Sequence, residues 1–231
     1  MAKKVYLTFI ATLCLMVTSV TAEEKHWSLQ PMKRAAVPAK GNPIDYFIAQ
    51  KLREQNLKPS PEADRVTLIR RVTLDLTGLP PSPQTVKAFL KDPRNTGVVF
   101  AEAVDGLLTS PHYGERWAQH WLDVIRWAET VGFETNLERP NAWHYRDWVI
   151  AALNADMPYD RFILEQIAGD TVQADAALGF LVSGPANLPG QIGRDEEAMR
   201  SARQDELDEV IRTVGQSLLG LTIGCARCHD H

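Results

Sequence analysis

Tyr113-Gly114-Glu115-Arg116-Trp117-Ala118-Gln119-His120-Trp121-Leu122-Asp123-Val124-Ile125-Arg126-Trp127-Ala128-Glu129 is the stretch on which the fold turns. At about 100° per residue, Tyr113, Trp117, Val124, Trp127 and Ala128 share one face, which predicts an amphipathic helix over this span. His120 falls near the middle of that face. A histidine there is expected to be a core residue with a local hydrogen-bond partner. The five tryptophans Trp117, Trp121, Trp127, Trp143 and Trp148 are expected to serve core packing.

Moving upstream, the pattern repeats. Asn42-Pro43 pairs a capping side chain with proline at the first helical position, and Ile44, Phe47, Ile48 and Leu52 follow at helical spacing. Ser60-Pro61 is expected to cap a second helix, with Leu68, Ile69, Val72 and Leu76 on its apolar face and Gly78-Leu79-Pro80-Pro81 ending it. Ser82-Pro83 opens a short helix to about Lys91, and another runs from about Gly97 to Leu108.

Downstream, a helix starting near Asn141 is expected to bury Tyr145, Trp148, Val149 and Leu153, with His144 on its edge. Phe162, Ile163 and Ile167 mark the next helix. Glycine and proline between Ser183 and Gly193 predict a loop. A last helix, from about Asp205 to Gly220, is expected to place Leu207, Val210, Ile211, Val214, Leu218 and Leu221 on one stripe. The acidic residues around it (Asp195, Glu196, Glu197, Asp205, Glu206, Asp208 and Glu209) read as a solvated face. No alternating run reads as a strand and no repeat is present. The fold class expected is all-α: an irregular multi-helix domain and then a C-terminal helix.

The N-terminus reads as an export signal. Lys3 and Lys4 precede an apolar run from Val5 to Val17, and Val20-Thr21-Ala22 supplies a small-x-small cleavage site. The run is too short to span a bilayer comfortably, and no later stretch is long and apolar enough to do so. The mature chain is therefore expected to begin at Glu23 and to reside in a periplasm or outside the cell. Cleavage removes Lys3, Lys4 and Cys14, and takes the net charge from −4 to −6. With no basic stripe, nucleic acid is not expected as a partner. The domain plan is a signal peptide over 1–22, an extended leader over 23–41, a helical domain over 42–182, a linker over 183–204 and a motif-bearing C-terminal segment over 205–231.

That segment carries the strongest chemical signal, Cys225-Ala226-Arg227-Cys228-His229. Covalent haem attachment needs two thiols in reach of the two vinyl groups of one porphyrin and an imidazole placed for the iron, and Cys-x-x-Cys-His meets these needs within about one helical turn. On this reading Cys225 and Cys228 carry haem c and His229 is the proximal iron ligand. Three other readings stay open. The thiolates could bind zinc or another transition metal with His229 and His231, the pair could form a small redox disulfide, or the cysteines could be inert. His120 is the candidate distal ligand, ahead of His112, His144 and Met199. Asp123, Asp147 and Asp170 form no recognisable acid/base pair, and no phosphate loop or nucleophile elbow is present, so no catalytic constellation is identified.

Three longer strings carry a family resemblance. They are Pro59-Ser60-Pro61-Glu62-Ala63-Asp64 continuing through Leu68 to Pro81; Ser110 to Trp117 with His120-Trp121-Leu122-Asp123; and Gly220 to His231. Together they resemble a planctomycete cytochrome-c-like family of secreted proteins of unknown function, over about Ile44 to His231. The resemblance implies a c-type haem site and a further domain beyond the motif. The chain is thus expected to be a piece of a longer protein, with the distal side of a haem pocket in that further part. It implies no established reaction. The functions expected, in order, are electron transfer or redox sensing with an unidentified redox partner, an extracellular binding or structural module, and part of an enzyme whose cleft is lined by the aromatic central helices.

Overall fold

The computed structural model describes residues 26–38, 41–132, 136–185 and 195–229. The expected signal peptide and its cleavage site lie outside them. The described elements are helical, and the strand-type pairing among them is an isolated bridge between Thr130 and Glu138. The all-α expectation holds.

The chain divides into two compact units, Met1–Pro61 and Glu62–His231. The first unit holds a 3-10 turn, Trp27–Leu29, and helix α1, Pro43–Glu54. Asn42 caps α1 as expected, its Oδ1 accepting from the Ile44 N–H at 2.8 Å. None of the α1 residues is buried.

The second unit contains α2 (Arg65–Thr77), α3 (Pro83–Lys91), α4 (Thr96–Leu108), α5 (Pro111–Val124), α6 (Trp143–Asn154), α7 (Tyr159–Ala168) and α8 (Glu196–Leu219). Two 3-10 segments, Gly169–Thr171 and Asp175–Val182, follow α7. The cap of α2 is Asp64 and not Ser60. Its carboxylate accepts from both the Thr67 N–H, at 3.0 Å, and the Thr67 hydroxyl, at 2.8 Å. These bonds hold the Asp64 carboxyl below its ordinary range. The buried stripe of α2 is Ile69, Thr73 and Thr77. Both threonines are accommodated because each hydroxyl donates to the carbonyl four residues back, at 2.7 Å.

A small core joins α2, α3 and α4 through Ile69, Phe89 and Val99. Arg65 ties these helices at their ends. Its guanidinium donates to the carbonyls of Phe89, Asp92 and Arg94, and its Nε to the Thr96 hydroxyl. Arg65→Ala leaves the turn between α3 and α4 without its donors. The expected cost is about 2 kcal/mol, the size of hydrogen bonds from a charged donor, read as a lower urea midpoint by circular dichroism. An unchanged midpoint would contradict this account.

The main core gathers Ala118, Leu122 and Ile125 with Tyr145, Val149 and Ala152 of α6, Phe162 of α7 and Phe180. Here the reading of α5 is corrected. The helix is Pro111–Val124, and the face it buries is Gly114, Ala118 and Leu122. Trp117 and Val124 are 40% and 56% exposed. The reason is proximity. A Cβ on Gly114 would lie 2.5 Å from the Ile150 carbonyl oxygen, so α6 passes at backbone distance and only the small-residue face can meet it. Asn154 locks the crossing by accepting from the Gly114 N–H and donating to the Pro111 carbonyl, at 2.8 and 3.0 Å. Trp121, Trp127 and Trp148 pack against this core as expected, whereas Trp117 and Trp143 are exposed.

Helix α8 begins at Glu196, earlier than the expected Asp205. Asp195 caps it, accepting from the Ala198 N–H at 2.7 Å, and Glu196 and Glu197 occupy its first turn. The acidic run thus starts the helix, where carboxylates meet the positive end of the helix dipole. Val214 and Leu218 pack against the main core.

Candidate functional site

Gly220 ends α8 in the left-handed conformation, at φ +65°. The chain then doubles back, with the Leu221 N–H donating to the Gly215 carbonyl at 2.9 Å. Glycine at 215 is required by this return, because a Cβ there would lie 2.8 Å from the Ile223 side chain and 3.2 Å from the Leu221 carbonyl oxygen. The motif follows as a 3-10 turn, Gly224–Arg227. Ala226 N–H donates to the Ile223 carbonyl at 3.0 Å and Cys228 N–H to the Cys225 carbonyl at 3.2 Å. Cys225 and Cys228 are both exposed free thiols, and His229 beside them is exposed.

Charged residues of α8 surround the turn. Arg227 Nη1 lies 2.7 Å from Asp205 Oδ1 and 3.7 Å from Asp208 Oδ2. Asp205 accepts a hydrogen bond from Arg227, which raises the Arg227 pKa above its usual value. Arg212 Nε lies 2.7 Å from Asp208 Oδ2, a Coulombic contact without the alignment of a hydrogen bond. A Cβ on Gly224 would sit 2.7 Å from that same Nε. The acidic residues of α8 are therefore not a uniformly solvated face. Asp208 is only 12% exposed in its side chain, and Glu209 pairs with Arg126, which also donates to Thr213. Their spacing of three and four residues from one another and from Arg212 was visible in the sequence, but the partner Arg227 arrives only through the chain reversal.

The candidate ligands do not converge on this turn. His120 is exposed on α5 and lines a groove of about 350 Å³ formed with Tyr113, Trp117, Trp121, Met157 and Tyr159, with no cysteine in its lining. The Trp117 ring meets His120 edge-on at 5.4 Å. The expectation of a core histidine is corrected: His120 is exposed, on the rim of an open groove that Ala152 and Leu153 of α6 also line. His112 pairs with Glu115 at 2.7 Å, His144 stacks on Trp143, and Met199 is exposed on α8. Among the described residues no group of three or more His, Cys, Asp and Glu is placed to hold a metal ion, and His231 lies outside them. Asp123, Asp147 and Asp170 stand exposed on α5, α6 and the 3-10 segment after α7, and Asp147 pairs with Arg146.

A buried polar cluster escaped the sequence reading. Gln166 is fully buried, and its Oε1 accepts from the Tyr145 hydroxyl at 2.6 Å and from Trp121 Nε1 at 3.0 Å. Its Nε2 donates to the Phe162 carbonyl at 2.9 Å. Nearby, buried Glu165 accepts from Trp148 Nε1 at 3.2 Å and from Arg161 at 2.6 Å. Every polar side-chain group of Gln166 is matched, which makes the cluster a structural pin between α5, α6 and α7.

Residues 43–231 match the model of a family described as a protein of unknown function (DUF1549), PSCyt2. No curated protein and no solved structure matches the chain.

Proposed function

From the premise that the chain belongs to the DUF1549 (PSCyt2) family, we propose that it is an exported protein that attaches haem c at Cys225 and Cys228 and serves electron transfer or redox sensing. The observation that carries the reading is the turn itself. Two free, exposed thiols close one 3-10 turn, with an imidazole at the next position. That donor set fits the group: each S–H can add across one vinyl double bond without consuming an oxidant, and His229 can ligate the iron. When bound, the haem supplies a one-electron couple. The chain's own part is to hold both sulfurs accessible on one short turn and to keep the imidazole beside them.

Export supports the reading from the other end of the chain. Lys3-Lys4, the apolar run and Val20-Thr21-Ala22 compose a signal peptide, placing the mature protein in a periplasm or outside the cell. No helix among the described residues is long and apolar enough to cross a membrane. The partner is an unidentified redox protein.

The test is expression with haem-attachment machinery, followed by denaturation and staining for covalent haem. Covalent haem is expected on the intact chain. Cys228→Ser should leave at most one thioether, and His229→Ala should disturb the iron absorption spectrum more than the attachment. A chain that carries no covalent haem sinks the proposal, and zinc retained by Cys225 and Cys228 in that experiment would support the metal site instead.

A further inference from the structure

We propose that Asp208 is the positioning residue of the cysteine turn, holding it against α8 through Arg212 on one side and Arg227 on the other; its link to haem rests on the attachment reading above. The side chain of Asp208 is nearly buried, and one of its oxygens lies 2.7 Å from Arg212 Nε and 3.7 Å from Arg227 Nη1. Arg227 stands between the two cysteines, so a restraint on it is a restraint on both sulfurs. Arg212 meets the other end of the turn, because Gly224 rests against its guanidinium at a distance that leaves no room for a Cβ. Asp205 adds a contact to Arg227 that is largely solvent-exposed and therefore weakly restraining. Asp208 is the shared counter-charge. Without it Arg212 loses the carboxylate 2.7 Å from its Nε, and Arg227 is left with the exposed Asp205 contact.

The function of such a clamp is to prepare the site. A short turn of exposed backbone, held by the 3.0 and 3.2 Å bonds of Ala226 and Cys228, is of the kind that opens readily. Tying it to a long helix packed on the main core presents the thiols and imidazole in one arrangement before the cofactor arrives. The ordering cost is then met by folding and not by attachment.

The experiment uses the full chain without haem. Amide hydrogen exchange is followed at Ala226 and Cys228, with the α8 amides near Val214 as an internal reference. Asp208→Asn should speed exchange at the two turn amides by about fivefold and leave the reference unchanged. Arg227→Ala, at a half-exposed side chain that cannot unfold the core, should act in the same direction. Asp208→Glu keeps the charge and should restore much of the protection. In the presence of attachment machinery, Asp208→Asn should also lower covalent haem per folded chain severalfold although both cysteines remain. Unchanged exchange in both Asp208→Asn and Arg227→Ala overturns the clamp. Faster exchange with an unchanged haem yield overturns its role in attachment. Absence of covalent haem from the unsubstituted chain sinks the attachment reading alone, and the exchange result still decides the clamp.

Discussion

Gly114→Ala is expected to destabilise the second unit by about 2 kcal/mol, against the sign that helix propensity alone assigns. In an exposed helix interior the same change stabilises by about 1 kcal/mol, because alanine restricts the unfolded chain. Here the new methyl would lie 2.5 Å from the Ile150 carbonyl oxygen and 2.6 Å from the Asn154 amide. A backbone oxygen cannot swing aside as the end of a flexible side chain can, so α5 and α6 must separate. Separation also breaks the bond from the Gly114 N–H to Asn154 and loosens the contact of Ala118 and Leu122 with Val149. Gly114→Leu should exceed the alanine variant. Urea unfolding followed by circular dichroism measures both. A midpoint equal to or above that of the unsubstituted chain for Gly114→Ala would show that the helices do not cross at backbone distance.

Gln166→Leu is expected to cost about 3 kcal/mol, although the two side chains are close in size. Leucine cannot accept the proton of the Tyr145 hydroxyl, and it leaves the Trp121 indole with Tyr145 as its remaining partner, at 2.9 Å. The Phe162 carbonyl also loses the Gln166 Nε2 as a second donor. Leaving a buried polar group unmatched costs about 1 to 3 kcal/mol, more than the bond itself is worth net. Tyr145→Phe removes donor and donor's need together and should cost less. A pH signature accompanies this. Burial pushes the Tyr145 phenol above its ordinary value of 10.0. A phenol raised in the folded state stabilises the fold fully below the unfolded-state pKa, and that contribution is lost as pH rises past about 10 toward the higher folded-state value. The alkaline loss of stability should therefore be shallower in Tyr145→Phe. Equal slopes for the two proteins would remove Tyr145 from the explanation, and tryptophan fluorescence reports the same transition through Trp121.

What the sequence determined by itself was local. Asn42-Pro43 and Ser82-Pro83 open helices because a capping oxygen followed by proline satisfies a helix start whatever surrounds it. The helical period excluded strands in the same way, and Cys225, Cys228 and His229 stood out as neighbours in one short stretch of the chain. Tertiary structure decided which face of each helix is inside. On α5 the aromatic face looked like the core, yet Gly114 and Ala118 permit a closer approach than tryptophans do, and close packing over a whole helix crossing outweighs the burial of Trp117 and His120. The same holds for polar residues. Thr73 and Gln166 are polar by type and yet buried, because the Ile69 carbonyl one turn back meets the Thr73 hydroxyl, and the Trp121 indole and Tyr145 hydroxyl from neighbouring helices meet the Gln166 amide. Sequence spacing specifies what a residue can offer; only the folded chain brings the partner that makes its burial affordable in free energy.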